Sequence, residues 1–497
     1  MKSPVDTQPP VVRNFGLSWP LIVGLVTLAG TLGYVRSELL ADPDTYWHIA
    51  AGQWILQHLA VPAIDPFSHS MTGAPWMAHE WLSEVLLAAA YAQAGWAGPV
   101  VLAVLAFAAT LAYLTRFLLA RLEPIRALFL VALTASMLAV HLLARPHVFT
   151  WPLMALWVGS LVDAIEDRRN PPWWLLGLIV LWANLHGGVT LGIVLGAALA
   201  LEAVLAAPPG LRAAAAWRWG AFVAMSVCAL MATPWGWNSL WFTFHLMGPN
   251  VMREVIGEWK PTNFGQFQPL ELWLLLVLGI ALAGRLRLSW LRLLLLLGLV
   301  HLALTSVRNA AVLGLVSPFL VASALARGWK SGEATASDAE RLDRFFAAFA
   351  EPARPLATAT AAVAGVLITV LAAGSGRFVP PAHSTPEAAV AAALNAGAHG
   401  PVLNDYDFGG YLIFRGIPVF MDGRADMYGR AFMESMFQAQ REPDALVRTL
   451  AEYRIGWTLL RPGSPAIAAL DGMPCWRRVY ADGFVVSHVR LDCPAER

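Results

Sequence analysis

Charge is scarce in this chain of 497 residues: 13% are Asp, Glu, Lys or Arg and 58% are hydrophobic. A soluble domain carries about 25% charged residues, so that class is excluded. The net charge is +1, which leaves no overall attraction toward nucleic acid. There are three cysteines, Cys228, Cys475 and Cys493, without C-x-x-C or zinc-ligand spacing, which excludes a zinc ribbon and a disulfide-dense scaffold. Neither a G-x-x-x-x-G-K-[ST] loop nor G-x-G-x-x-G occurs, so the usual backbone cradles for nucleotide phosphates are missing. "HEWLS" lacks the second histidine of a zinc helix, and "DFGG" at 407–410 has no glycine-rich phosphate loop to accompany it.

Long apolar runs are abundant. A membrane-spanning helix needs about 20 mostly apolar residues, and this pattern predicts eleven spans: 17–36, 98–118, 126–144, 149–166, 172–186, 188–207, 217–235, 269–284, 289–304, 308–326 and 356–374. The fold class predicted is an all-α polytopic membrane protein with a small C-terminal α/β domain outside the membrane. Lys and Arg gather in one set of loops: Lys2/Arg13, Arg116/Arg121/Arg126, Arg168/Arg169, Arg212/Arg218, Arg285/Arg287/Arg292 and Arg327/Lys330. The long first loop has no basic residue between Arg36 and Arg116 and many aromatics, and reads as two short helices lying along the outer membrane surface. Basic loops stay in the cytoplasm, so the N-terminus is expected inside, and the first loop and C-terminal domain outside. The expected organisation is a membrane domain over 1–330 with its first outer loop at 37–97, a cytoplasmic connector over 331–355, a last span over 356–374, and an outer domain over 375–497.

In the connector, Leu342, Phe345, Phe346 and Phe349 recur at helical spacing, which suits a short helix lying on the membrane surface. In the tail, "PEAAVAAALNAG" and "EPDALVRTLAEY" read as helices; "GPVLND", "IPVFMD" and "IGWTLL" read as strands; "WRRVYADGFVVSHVR" reads as a hairpin turning at Asp482-Gly483. Cys475 and Cys493 flank that hairpin and, in an oxidising compartment, are expected to form a disulfide. The carboxylates Asp405, Asp407, Asp422 and Asp426, with Arg424, read chiefly as a structural network.

The unusual polar residues fall on the side expected to be outside. "ADPDTYWH" places Asp42, Asp44 and His48 just after the first span; "HEWLSE" adds Glu80 and Glu84; "ARPHVF" carries Arg145 and His147; "NLHGG" carries Asn184 and His186; "SVRN" carries Arg308 and Asn309. Each has an ordinary use. Asp42 and Asp44 suit helix N-caps, His186 suits a turn, Arg145 and Arg308 suit snorkelling at helix ends, and Glu84 suits a surface. Their convergence from distant parts of the chain is what marks a site.

The run "DPDTYWHIAAGQWILQHLAVPAIDPFS" and the layout from residue 17 to about 330 resemble the GT-C superfamily of membrane glycosyltransferases, which includes protein O-mannosyltransferases, oligosaccharyltransferases and the aminoarabinose transferase of lipid A. The acid-aromatic start followed by G-x-W-x-x-x-H-x-x-x-P is most similar to the mannosyltransferase-like bacterial branch. Asp-Pro-Asp stands where an Asp-Glu pair is usual, and the tail run "NDYDFGGYLIFRGIPVFMDGRADMYG" lies outside the pattern. The resemblance implies an inverting transfer of a sugar from a polyprenyl phosphate or diphosphate to a glycan, lipid or protein acceptor outside the bacterial inner membrane. Asp44 is then the candidate base, with Asp42 orienting it; the pair is also the candidate holder of a divalent cation such as Mg or Mn, no cofactor being certain. Arg145 and Arg308, helped by His147 and His186, are candidates for the donor phosphate, because arginine presents a fork of donors to phosphate oxygens. His48, Glu80 and Asn184 are candidate acceptor or supporting residues. The alternatives are a non-catalytic scaffold on the same fold and a transporter of a lipid or glycan. Membrane lipids are the remaining expected partners, and nucleic acid is not one.

Overall fold

The computed structural model describes residues 16–34, 37–246, 257–329 and 345–491. The helices of the apolar part are α1 (Trp19–Tyr34), α2 (Asp44–His58), α3 (Trp81–Ala94), α4 (Ala97–Leu119), α5 (Pro124–Ala139), α6 (His147–Glu166), α7 (Leu175–Leu185), α8 (Val189–Ala206), α9 (Arg212–Leu230), α10 (Trp237–Leu246), α11 (Pro269–Leu282), α12 (Trp290–Thr305), α13 (Asn309–Trp329) and α14 (Pro355–Ala373). Each of the eleven expected spans contains one apolar helix. Six contain a helix of at least 18 residues, long and apolar enough to cross a membrane. The other five hold α1, α5, α7, α11 and α12, which are shorter. The chain is a multi-pass membrane protein, mostly helical, with a small sheet domain at its C-terminal end. Of the three remaining helices, α2 and α3 lie in the first loop, where two helices were expected, and α10 follows α9.

Close approach of helices is set by small residues. Gly192 and Gly196, four apart on α8, receive the rings of Trp182 and Trp157; a Cβ at either glycine would lie 2.6 Å from the ring. Without a hydrophobic force between helices in lipid, such contacts are what packs a bundle. Trp157 Nε1 also donates to the Gly192 carbonyl at 2.7 Å.

The tail continues with α15 (Glu387–Asn395), β1 (Val402–Asn404), α16 (Gly409–Phe414), α17 (Ala425–Arg441), α18 (Pro443–Glu452), β2 (Trp457–Leu460), α19 (Pro465–Gly472), β3 (Trp476–Ala481) and β4 (Val486–Arg490). The sheet order is β1-β2-β4-β3, with β1 parallel to β2 and the other pairs antiparallel. The β3–β4 hairpin turns where expected: Asp482 Oδ1 accepts from the amides of Phe484 and Val485 at 2.7 and 2.8 Å. "IPVFMD" is not a strand of this sheet. Its Val419 instead bridges to Ser68 in the first loop, and the amide of Phe420 is taken by Asn404 Oδ1. The backbone groups that would have joined the sheet are used elsewhere.

Residues 330–344 and 492–497 lie outside the described residues, so Leu342 and the Cys475–Cys493 bond do too. Phe346 stacks on Trp19 at the start of α1 with ring centroids 5.2 Å apart, and Phe345 and Phe349 flank the same ring. These aromatics therefore pack on the chain itself.

At the end of the bundle away from the Asp42 loop, the basic residues are not simply surface charges. Arg121 reaches Asp163 at 2.5 Å and Glu166 at 2.9 Å. Arg292, 9% exposed, reaches Glu166 at 3.0 Å and Glu202 at 2.9 Å. Two guanidiniums thereby tie α6, α8, α12 and the end of α4. Removing one partner of a buried pair leaves an uncompensated charge, a loss of about 3–5 kcal/mol. Arg292→Ala is expected to lower the thermal unfolding midpoint in detergent markedly; an unchanged midpoint would show the network to be dispensable.

Candidate functional site

The first loop brings Asp42 and Asp44 to the start of α2. Pro43 occupies the cap position between them, with φ −65°. Asp42 Oδ1 accepts the Asp44 amide at 2.8 Å, so the ordinary capping use of Asp42 is present. Thr45 Oγ1 donates to the Ala144 carbonyl, and the Ala144 amide to the Leu39 carbonyl at 2.8 Å. These bonds tie the segment before α6 to the start of α2 and bring Arg145 between the two aspartates. Arg145 Nη1 lies 2.7 Å from Asp42 Oδ2 and Nη2 2.9 Å from Asp44 Oδ2. The fork is thus shared between two carboxylates instead of being turned to solvent.

Glu258 extends the chain of charges. It lies 3.8 Å from Arg145 and 3.8 Å from Arg308, which also covers the Trp259 ring at 4.7 Å. The turn before α13 braces this segment: the amides of Val307 and Arg308 donate to the carbonyls of Lys260 and Glu258. Glu258 was not singled out from the sequence. It shares the run "MREVIGEWKP" with Arg253, Glu254 and Lys260, and nothing in that spacing set it apart.

The electrostatics follow from burial. Asp44 is pushed up to about 7 by burial, with Arg145 opposing and Asp42 adding to the shift. For Arg145, burial works against its charge, but Asp42, Asp44 and Glu258 outweigh it and hold its pKa well above the ordinary value. Burial would raise Glu258, yet Arg145 and Arg308 hold it below the usual carboxylate range. Site carboxylates with different proton affinities are what acid-base chemistry uses.

A second string runs beside the first. His48 is buried on α2 against the Trp47 ring, 3.7 Å between centroids. It lies 3.8 Å from Glu80 and 3.7 Å from Glu84. Glu80 also meets His186 at 3.3 Å and His79 at 3.7 Å. Burial raises both glutamates, Glu84 strongly, and lowers His48. Glu84, expected on the surface, is buried, because α3 turns that face onto α2. His79 was also missed; nothing in its local spacing distinguished it.

Not every candidate faces this cluster with a group to spare. Asn184 accepts from Trp81 Nε1 and donates to the carbonyls of Val180 and Ala232, so its amide is used in holding α7 to its neighbours. His147 bonds the His141 carbonyl at 2.8 Å. His186 Nδ1 accepts the Gly188 amide, which directs Nε2 to Glu80. Asp42 and Asp44 are turned to a guanidinium, which supplies the positive charge a cation would bring. No cluster of three or more candidate metal ligands occurs among the described residues.

The tail closes on the same place. Arg424 joins its own Asp422 to Asp65 of the first loop, at 2.6 Å to each. Gly423 lies against Asp44, and Tyr406 donates to the Gly423 carbonyl at 3.2 Å. The structural reading of Asp422 and Arg424 agrees with this packing, but the network joins two distant parts of the chain.

Removing Arg145 would leave Asp42 and Asp44 side by side without a cation. Arg145→Gln is expected to destabilise by about 3–5 kcal/mol at alkaline pH. The loss should shrink as pH falls and the carboxylates take up protons, which thermal unfolding across pH 5–9 would read. A loss independent of pH would count against this account.

No family model matches the chain, and no curated protein matches it. Solved structures do. The crystal structure of the apo oligosaccharyltransferase of Archaeoglobus fulgidus matches at 13% identity over 89% of this chain and 69% of that one, with a TM-score of 0.53. The arabinofuranosyltransferase AftD from Mycobacteria matches at 15% identity over 97% of this chain and 40% of that one, TM-score 0.49. ArnT from Cupriavidus metallidurans, bound to undecaprenyl phosphate, matches at 13% identity over 95% and 97%, TM-score 0.46. At such identities the likeness speaks to architecture alone: this chain shares the fold of the archaeal oligosaccharyltransferase.

Proposed function

We propose that this protein is an inverting glycosyltransferase that moves a sugar from a polyprenyl-phosphate or diphosphate carrier to an acceptor outside a bacterial inner membrane. The observation that carries the reading is Asp44: a largely covered carboxylate, 16% exposed and anchored by Arg145 and by Trp47 Nε1 at 3.0 Å, whose pKa is pushed up to about 7. General bases work best when their pKa is near the working pH. Asp44 takes the proton from the acceptor hydroxyl or amine as that atom attacks the anomeric carbon. The bond from that carbon to the phosphate oxygen breaks, and its electron pair leaves with the phosphate. Asp42 and Arg145 hold the base in place. Arg308 is the cation for the leaving phosphate: its side chain is 32% exposed and its acid partner among the described residues, Glu258, stands 3.8 Å away. Arg145, engaged by two aspartates, acts on the phosphate less directly than its sequence position implied, with His186 held close by through Glu80. The open groove between α3, α7 and the segment after α9, about 600 Å³ and lined by Trp81, Leu82, Val180, Leu181 and Pro234, suits a lipid chain.

Asp44→Asn keeps the shape of the side chain and removes its basicity. Transfer is expected to fall by about 10²–10⁴-fold, the usual worth of a general base. The assay uses a panel of radiolabelled undecaprenyl-phosphate hexoses, with membranes of a deletion strain as acceptor. Wild-type turnover by this variant would remove the catalytic assignment. Arg308→Ala should instead raise the KM for donor.

Because Asp44 must be ionised to act, kcat/KM should drop as pH falls below about 7. The same shift makes the folded protein prefer the protonated carboxyl, so Asp44's contribution to stability diminishes as pH rises from about 4 to 7. An acidic limb near pH 4 would show that Asp44 is not the group titrating.

Cysteines placed at Thr72 and His399 should react with a membrane-impermeant maleimide in intact spheroplasts. Reaction only after lysis would reverse the proposed sidedness.

A further inference from the structure

The tail run "DYDFGGYLIFRGIPVFMDGRAD" has no place in the chemistry above, yet its backbone lies against the proposed base. A Cβ built on Gly423 would fall 1.9 Å from Asp44 Oδ1 and 2.8 Å from Trp47 Nε1. One on Gly410 would fall 2.3 Å from the Pro43 carbonyl oxygen. Two tail glycines therefore contact the two residues Pro43 and Asp44, and both contacts need the absence of a side chain.

The loop that carries Gly423 is held from both sides. Arg424, Asp422 and Asp65 have side chains with 0% exposure. Arg424 Nη1 reaches Asp65 at 2.6 Å, and its Nε and Nη2 reach Asp422 at 2.8 and 2.6 Å. Tyr428 donates to Asp422 Oδ2 at 2.6 Å. The guanidinium also lies over the rings of Trp76, at 4.7 Å, and Phe67, at 5.2 Å, both in the first loop. Asp65 in turn accepts the amides of Phe67 and Ser68 at 3.0 Å each. A buried ion pair adds little net stability against an apolar replacement; what it supplies best is register. Here the register set is that of the tail loop on the first loop, and through Gly423 that of Asp44.

We propose that the tail loop 422–424 is a positioning element for the base: Gly423 backs the Asp44 carboxylate, and Arg424, clasped between Asp422 and Asp65, fixes that backing. The inference rests on the glycosyl-transfer reading for its catalytic consequence, while the bracing itself can be measured without turnover. Seen from Asp44, the charged or titratable groups around it are Arg145, Asp42, Glu258 and Tyr406, with His48 one turn along α2. Arg145 holds Oδ2 and Trp47 holds Oδ1. The tail backbone closes the side those two leave open, so the carboxylate has one orientation left.

The experiment uses the full-length protein with three substitutions, Gly423→Ala, Arg424→Lys and Tyr406→Phe. Two quantities are read per mole of folded protein: kcat and donor KM with the undecaprenyl-phosphate hexose panel, and amide hydrogen exchange over residues 42–48. Gly423→Ala should lower kcat by about 10²-fold, the scale of a misplacement near 1 Å, with donor KM unchanged and exchange over 42–48 faster. Arg424→Lys, which loses the fork, should act in the same direction. A purely structural tail would reduce the yield of folded protein and leave kcat alone, and that result overturns the proposal. If neither variant folds, Tyr406→Phe, which removes a single hydrogen bond to the Gly423 carbonyl, decides by the same two readouts. Should the wild-type chain transfer none of the hexoses, faster exchange over 42–48 in the variants still supports the brace, and unchanged exchange overturns it.

Discussion

A guanidinium shared by two carboxylates organises the site end of this molecule. Arg145 sits before α6, and Asp42 and Asp44 sit at the start of α2, about a hundred residues earlier in the chain. Two like charges this close cannot both stay ionised in a poorly solvated place without a cation between them. Arg145 meets that need, and burial still leaves Asp44 with an affinity for protons near neutrality. Through Glu258 the same guanidinium is linked to Arg308. Asp44, Arg145, Glu258 and Arg308 thus form one line of alternating charge, running from the acceptor-activating group to the phosphate-binding one in the proposed reaction.

The opposite end of the bundle uses the same pairing for a different result. Arg121 and Arg292 are met by Asp163, Glu166 and Glu202, and these pairs join helices. At the site end Arg145 is held as tightly by Asp42 and Asp44, but the pairs made by Glu258 are longer: Arg308 and Glu258 are 3.8 Å apart, with side chains 32% and 35% exposed. The tighter network suits a fixed joint. The looser one leaves Arg308 less engaged, as the proposed reaction requires of a phosphate-binding group.

The tail packs on the first loop through apolar as well as charged contacts. Tyr46 and Trp47 of α2, with Trp76, share one cluster with Phe408, Tyr411 and Leu412 of the tail. Tyr46 meets Tyr411 edge-on at 5.3 Å. An aromatic-rich loop without lysine or arginine can pack in this way, because it has no long cationic side chain to keep in water. The scarcity of basic residues that marks the loop as an outer one in the sequence also suits it to be covered.

Periodicity and composition were enough to place the eleven apolar helices, the two helices of the first loop and the β3–β4 hairpin, because those depend on local runs and turn chemistry. The polar motifs were also legible, since a charge beside a long apolar run is conspicuous. Their partners were not. That Arg145 would be spent on Asp42 and Asp44, that Asn184 would be used up between helices, and that Glu84 would be buried against His48 all depend on which faces meet across long sequence separations. "IPVFMD" reads as a strand by its own residues, but Asn404 and the first loop took its backbone groups. Gly423 carries no signal in one sequence, for a glycine in a loop has many uses. Only the approach of the tail backbone to Asp44 shows why a side chain would not fit there: the space is already filled by the carboxylate.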